Sequence, residues 1–495
     1  MTKRRIGVSA DHHHYKWWAL SCTSLGMLLA TVNSGTLVIA LPDLEKALGV
    51  DLLTLVWVIL AYMIASTVLV LTFGRLSDVF GRKKAYAAGF AIFSFASLGA
   101  GFASGGTDLI VWRIVQGIGA AFIFANASAL VTDAFPKEEL GLAMGTNVMV
   151  AAVGLVIGPV LGGVLVELSW HWVFWFNVPF GIVGTIWAML VLRELIRPEH
   201  EHRFDWWGTV TFVIGLTGLT LGISRGGIMN WTDTMTVVPL IAAVVLLPAF
   251  VLIERRVREP MLDLTLFRDR GFSAATGAAF LAGLSRFSLT FVFVLYFQGA
   301  IGDDPIMAGV KLAPLALGML ISSPLAGRRA DSHGARTLAA AGLVVSAVGM
   351  AGMTMLDTDT AYWITAVWLF VTGIGSGMFN SPNTAAMMGA VPAHRRGIAA
   401  GTRMMLQNTG SVLSIAILLA IVTAAVPKET LLSIFSGLSS KLSSQALDPF
   451  IHNLHVAMWV LAATSLAGAV VSLMRPREHA GVVSTEGAVV ADAHR

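Results

Sequence analysis

Charge is scarce in this chain. Asp, Glu, Lys and Arg make up 13% of its 495 residues, about half the ~25% of a soluble domain. That shortage excludes a soluble enzyme, and the 56% hydrophobic content makes the chain an integral membrane protein. Cysteine is almost missing. Cys22 is the single one, so no intrachain disulfide can form. It precedes the main apolar run, which argues against a lipoprotein cleavage site. No Gly-x-x-x-x-Gly-Lys-Ser/Thr loop occurs, so a P-loop ATPase is excluded. No Asp or Glu lies deep in an apolar segment; Asp43, Asp108, Asp133 and Glu167 sit near segment ends. No cluster of His, Asp and Glu falls within the apolar segments either. No enzymatic activity, cofactor or metal is therefore expected. The formal net charge of +4 calls for no nucleic-acid partner, because the basic residues gather in loops.

Long apolar runs are what the chain has in abundance. A spanning helix needs about 20 mostly apolar residues. Fourteen segments qualify, at roughly 17–41, 53–73, 85–103, 108–132, 141–166, 171–192, 207–226, 234–253, 272–297, 305–326, 337–356, 360–388, 397–425 and 452–474. The first is too long for a signal-peptide core and reads as a retained helix. The expected fold is all-α and polytopic, with 14 transmembrane helices. Twenty-five of the 33 Lys and Arg fall on one side of this arrangement and four on the other. Both termini are then cytoplasmic, as the excess of Lys and Arg on the cytoplasmic face requires. The remaining four, Arg113, Arg286, Lys311 and Arg403, lie inside helices.

The chain repeats itself. GRLSDVFGRK at 74–83 is echoed by GRRADSHGAR at 327–336, so Asp78 maps to Asp331 at an offset of 253. Gln-Gly-Ile-Gly at 116–119 and Gly-Leu-Ala-Met-Gly at 141–145 recur 256 residues on, as Thr-Gly-Ile-Gly and Gly-Ile-Ala-Ala-Gly. Two homologous six-helix bundles follow, at 17–203 and 257–474. Two linker helices within 204–256 have no repeat partner, and tails at 1–16 and 475–495 flank the whole. Repeat-built transporters bind substrate between the halves, near the midplane. Leu431, Phe435, Leu438 and Leu442 have the spacing of an amphipathic helix on the outer interface. Asp11-His12-His13-His14 reads as a metal-binding run or, more simply, as a solvated tail.

Three motifs carry the chemistry. Gly74, Asp78, Gly81 and Arg82 form a short basic loop between two spans. Arg113, Gln116 and Gly117, with Gly119, lie in the fourth span. A guanidinium there costs at least ~2.5 kcal/mol, so Arg113 faces a polar cavity or snorkels to the outer end. Gly154, Gly158 and Gly162 share one face of the fifth span, and Pro159 favours a kink. Together with Ala40-Leu41-Pro42, Trp57, Tyr62, Tyr296 and Gln298, these residues resemble the 14-helix drug:proton antiporter branch of the major facilitator superfamily.

The resemblance covers nearly all of 17–474. It implies a pseudo-twofold pair of bundles, alternating access, a monomer in the plasma (inner) membrane, a coupling role for Arg113 and a conformational role for Asp78. It also implies the "antiporter" motif in Gly154–Gly162. Trp57, Tyr62, Tyr296 and Gln298 line the cavity or serve as anchors and packing. The chain departs from its relatives at Asn33, where drug exporters usually carry an aspartate. Asparagine cannot titrate. With Arg286 and Lys311 in the other half, the substrate cavity is expected to be cationic and to favour neutral or anionic amphiphiles.

The reading is a secondary active exporter of small amphiphilic compounds, driven by protons or another ion, with membrane lipids as its surroundings. Alternatives are a lipid or anionic-metabolite exporter or uniporter without standard proton coupling, and a non-transporting membrane sensor.

Overall fold

The computed structural model describes residues 11–136, 140–194, 205–257, 260–389, 391, 396–424, 426 and 444–476. Helices account for nearly all of it. The first half contains α1 (Asp11–Ile39), α2 (Leu41–Leu48), α3 (Leu52–Phe80), α4 (Arg82–Ala100), α5 (Gly106–Ala134), α6 (Leu140–Leu168), α7 (Trp172–Trp175) and α8 (Asn177–Val191). Then come α9 (Trp206–Ile228) and α10 (Thr234–Glu254). The second half contains α11 (Arg270–Val294), α12 (Pro305–His333), α13 (Ala335–Gly352), α14 (Tyr362–Gly389), α15 (Arg396–Val422) and α16 (Ser444–Leu473).

The expected count of fourteen spans is corrected by the structure. Among the described residues, twelve helices are long and apolar enough to cross a membrane. The segments outside that set are those expected at 85–103 and 141–166. The first is α4, which opens on Arg82-Lys83-Lys84 and is built largely from Ala, Gly and Ser. The second is α6, whose described apolar stretch is Ile157–Leu168. At ~1.5 Å per residue that stretch is too short for a ~30 Å hydrocarbon layer. Both helices nonetheless belong to the first bundle. α4 packs against α5 and α8, and α6 against α1 and, across the molecule, α12.

Local chemistry sets the element ends. The Asp51 side chain accepts from Thr54 N at 3.2 Å and starts α3. Asp304 accepts from Met307 N at 2.7 Å and starts α12, with Pro305 in the first turn. Pro42 lies in the first turn of α2, so the first span ends at Ile39, two residues short of the expected Leu41.

Among the described residues, four glycines have positive φ: Gly49 (61°), Gly81 (100°), Gly302 (84°) and Gly334 (82°). They form two pairs, each separated by the offset of 253 found in the sequence. Gly81 and Gly334 each end one helix and begin the next without a loop, a turn open to glycine because it has no Cβ.

The result is two helix bundles with α9 and α10 beside them. α9 touches both bundles, packing on α3 and α15. Thr209 Oγ1 lies 3.3 Å from Thr72 Oγ1, and Thr423 Oγ1 donates to Gly227 O at 3.0 Å. α10 packs on α9 and turns most of its surface outward. The Leu431–Leu442 segment and the tails at 1–10 and 477–495 lie outside the described residues.

Candidate functional site

A cavity of about 270 Å³ lies between the two bundles. α1, α3, α5 and α6 wall it on one side, and α11, α12, α14 and α15 on the other. The bundles meet at both of its ends. At the end bearing the basic 82–84 turn, α3 meets α15, where a Cβ on Gly401 would sit 2.8 Å from Leu71 Cδ2. At the far end α6 meets α12, where a Cβ on Gly309 would sit 2.6 Å from the backbone of Pro159. Gln298 adds a polar link there, donating to Ile39 O of the other bundle at 3.4 Å.

On the first-half side a buried network stands behind the wall. Arg113 is 1% exposed, which rules out snorkelling. Its Nε donates to Val58 O at 3.0 Å, one Nη donates to Gln116 Oε1, and its guanidinium lies 4.3 Å from the centre of the Tyr62 ring. Such a cation over an aromatic face is favourable, more so when desolvated. Gln116 Nε2 in turn donates to Asn33 Oδ1 at 3.2 Å and Ser97 Oγ at 2.7 Å. Asn177 Nδ2 also donates to Asn33 Oδ1 at 3.2 Å. The network thus joins α1, α3, α4, α5 and α8, and contains no carboxylate. Tyr62 is the member that reaches the cavity wall; Asn33, expected in the cavity, points into the network instead.

On the second-half side two guanidiniums face the cavity, Arg286 of α11 and Arg403 of α15. Arg286 Nη1 lies 3.3 Å from the Met319 sulfur, a weak acceptor. Arg403 Nη1 donates to Gln407 Oε1 at 2.6 Å, and Gln407 Nε2 donates to Asn380 Oδ1 at 3.4 Å. Arg403 Nε is buried without a partner. Among the described residues, no Asp or Glu lines this cavity.

Lys311 is corrected. Its ammonium is held by Asp303 at 2.6 and 2.7 Å and lies over the Phe297 and Tyr362 rings, away from the cavity. Tyr296 is also elsewhere, donating to Asp357 O at 2.7 Å. Trp57 is partly buried and packs against the core, with its Nε1 buried and unpartnered. Arg403 belongs to the cavity although the sequence pattern did not place it there. Its signal is an arginine four residues before a glutamine inside an apolar run, which puts both on one helix face.

The glycine-rich face of α6 packs against α1. A Cβ on Gly158 would sit 3.1 Å from Gly35 Cα, and one on Gly162 would sit 2.8 Å from Thr36 Cα. A Cβ on Gly154 would sit 3.4 Å from Leu28 O. Pro159, next to these glycines, lines the cavity and meets α12. Gly117 lets α5 approach α3, where an added Cβ would come 2.7 Å from Tyr62 O.

At the basic end, Gly74 faces Ala125 of α5. The Arg82 guanidinium pairs with Asp133 at 2.6 Å. Glu194, which the motif did not flag, accepts from Arg82 N at 2.8 Å and Lys83 N at 3.2 Å and so caps α4. Asp78 and Asp331 lie on α3 and α12, but their side chains are outside the described residues, as are those of Asp11, His12 and His13.

The profile described as Major Facilitator Superfamily matches residues 23–255 and 275–491. The chain is 30% identical to the multidrug resistance protein Stp of Mycobacterium tuberculosis, over 82% of this chain and 75% of that one. It is 28% identical to the tetracenomycin C resistance and export protein of Streptomyces glaucescens, over 81% and 75%. In fold it is similar to the human organic anion transporter MFSD10, with a TM-score of 0.64, 13% identity, and coverage of 92% of this chain and 99% of that one. The xylose transporter XylE of E. coli gives 0.61 and 13%, over 94% and 99%. The chain therefore belongs to the Major Facilitator Superfamily, as a multi-pass membrane transporter of small molecules rather than an enzyme.

Proposed function

We propose that this transporter exports small amphiphilic compounds by alternating access, within the drug:proton antiporter branch of the superfamily. One observation carries the reading: a cavity built from both repeats, bracketed by inter-bundle contacts at each end. The α3–α15 contact and the α6–α12 contact can open in turn while the cavity stays between them. Relatives named for drug resistance and export support the outward direction. The glycine face of α6 gives α1 a smooth surface to move against.

In this reading the protein sits in the plasma (inner) membrane as a monomer, with both termini cytoplasmic. The domain limits are 17–203, 204–256 and 257–474, and the energy comes from protons or another ion. Arg113 and Gln116 act in coupling. Asp78 and Asp331 stabilise one conformation, so Asp78→Asn impairs turnover while substrate affinity holds.

Everted membrane vesicles test this. Energised vesicles containing the protein should accumulate amphiphilic test compounds, and an uncoupler should stop them. Accumulation equal to that of protein-free vesicles overturns the export reading.

A further inference from the structure

Two arginines in one cavity need a counter-charge. A guanidinium carries five N–H donors and no acceptor. The partners of Arg286 and Arg403 are neutral: a thioether sulfur, the Gln407 amide and, for Arg403 Nε, nothing. Both line the same space, so each also feels the other's charge. Buried charges are stable only when paired and hydrogen-bonded, and charges within a membrane span mark substrate or ion pathways. Asp303 is occupied by Lys311, at the mouth of α12. Among the described residues, no acid lines the cavity.

The opposite wall differs. The first bundle contributes Met27, Ile59, Met63 and Phe124, with Tyr62, Ser66 and Thr67 among them. That surface is apolar and carries hydroxyls, with no charge. The volume, about 270 Å³, lies near the lower end of small-molecule pockets, ~300–1,000 Å³.

We infer that Arg286 and Arg403 form an anion seat. It takes the carboxylate, sulfonate or phosphate group of a soluble amphiphile whose apolar body lies against Ile59, Met63 and Phe124. Guanidinium suits this role because its planar fork matches oxyanions in a bidentate manner. The seat deepens the proposed function by naming a substrate class, and it depends on that function only for its biological purpose.

The test is equilibrium binding to the purified full chain in phosphatidylcholine nanodiscs. Three probes share one aromatic body: anilinonaphthalene sulfonate, neutral phenylnaphthylamine and a trimethylammonium derivative. Wild-type protein should bind the sulfonate roughly tenfold more tightly than either of the others. Arg286→Gln and Arg403→Gln should each weaken sulfonate binding about tenfold and leave the neutral probe within about twofold. Arg286→Lys and Arg403→Lys, which keep the charge but lose the planar fork, should fall between wild type and the Gln variants in their preference for the sulfonate. Arg225→Gln removes a charge paired with Asp233 outside the cavity, and should change nothing.

A wild-type preference for the cationic probe, equal loss of all probes in the arginine variants, or no saturable sulfonate binding overturns the seat. The wild-type preference is decisive even if a variant fails to fold. Loss of sulfonate binding in phosphatidylglycerol nanodiscs alone would show a lipid headgroup as the occupant and overturn the soluble one. Charge-selective binding without vesicle transport would leave the seat standing and remove the export reading; export without anion preference would do the reverse.

Discussion

Asn33 and Arg286 are repeat partners. They lie 253 residues apart, on α1 and α11, the offset that separates Gly49 from Gly302 and Gly81 from Gly334. One carries a neutral amide inside a hydrogen-bonded network and the other a guanidinium in the cavity wall. At these two positions the symmetric scaffold is asymmetric, with a guanidinium facing the cavity in the second half and a neutral amide in the first.

Asn33→Asp should change this balance. The new carboxylate would accept from Gln116 Nε2, now 3.2 Å from Asn33 Oδ1, one hydrogen bond from Arg113. Substrate preference should shift toward lipophilic cations by about tenfold, or ~1.4 kcal/mol, and transport should become more sensitive to collapse of the pH gradient. Competition between cationic and anionic substrates in vesicles measures it. An unchanged ratio would show that the network does not reach the cavity electrostatically.

Gly81 and Gly334 offer a matched pair. Both have positive φ with ψ of 129° and 139°, so alanine at either should cost about 1–3 kcal/mol of local strain. Gly81→Ala has a second penalty, because its Cβ would lie 2.6 Å from the Glu194 carboxylate that caps α4. At Gly334 an added Cβ meets nothing within 4 Å. Hydrogen exchange at the start of α4 should therefore rise more in Gly81→Ala than exchange at the start of α13 rises in Gly334→Ala. Equal effects would contradict a capping role for Glu194.

Glu194→Gln tests the cap directly. A carboxylate near a helix N-terminus contributes about 0.3–1 kcal/mol, so amides 82 and 83 should exchange up to roughly fivefold faster while ligand affinity holds. A loss of affinity would place Glu194 in the substrate path, far from where it is seen.

The linker helices make a different prediction. Among the described residues, none of α9 or α10 lines the cavity, yet α9 packs on α3 and α15. Deleting 204–256 with a bridging linker should lower thermal stability and preserve probe binding. A folded deletion variant that binds no probe would show that the pair shapes the site.

Much of this was legible in the chain itself. Periodic glycines, the 253-residue offset and the buried arginines follow from local chemistry, and each has a counterpart in the structure. What was hidden depended on partners distant in sequence or on sums over a helix. Lys311 looked like a cavity cation because Asp303, eight residues earlier, stands across the turn that begins α12. Asn33 looked exposed to substrate because the amides of Gln116 and Asn177 come from other helices. The helix count went astray at α4, where small residues and three basic ones lower apolarity without preventing a helix, and at α6, whose described apolar stretch is short.

If the cavity carries an anionic amphiphile, charge movement reads it most directly. Capacitive currents from proteoliposomes on a solid support, at equal pH on both sides, should follow addition of anilinonaphthalene sulfonate. Moving one charge against 100 mV is worth ~2.3 kcal/mol, so the current should respond to an imposed potential. The expected result is a current with the sign of a moving negative charge, absent with the neutral probe and abolished by Arg286→Gln combined with Arg403→Gln. A silent wild-type protein, or a larger current of opposite sign with the cationic probe, would contradict it.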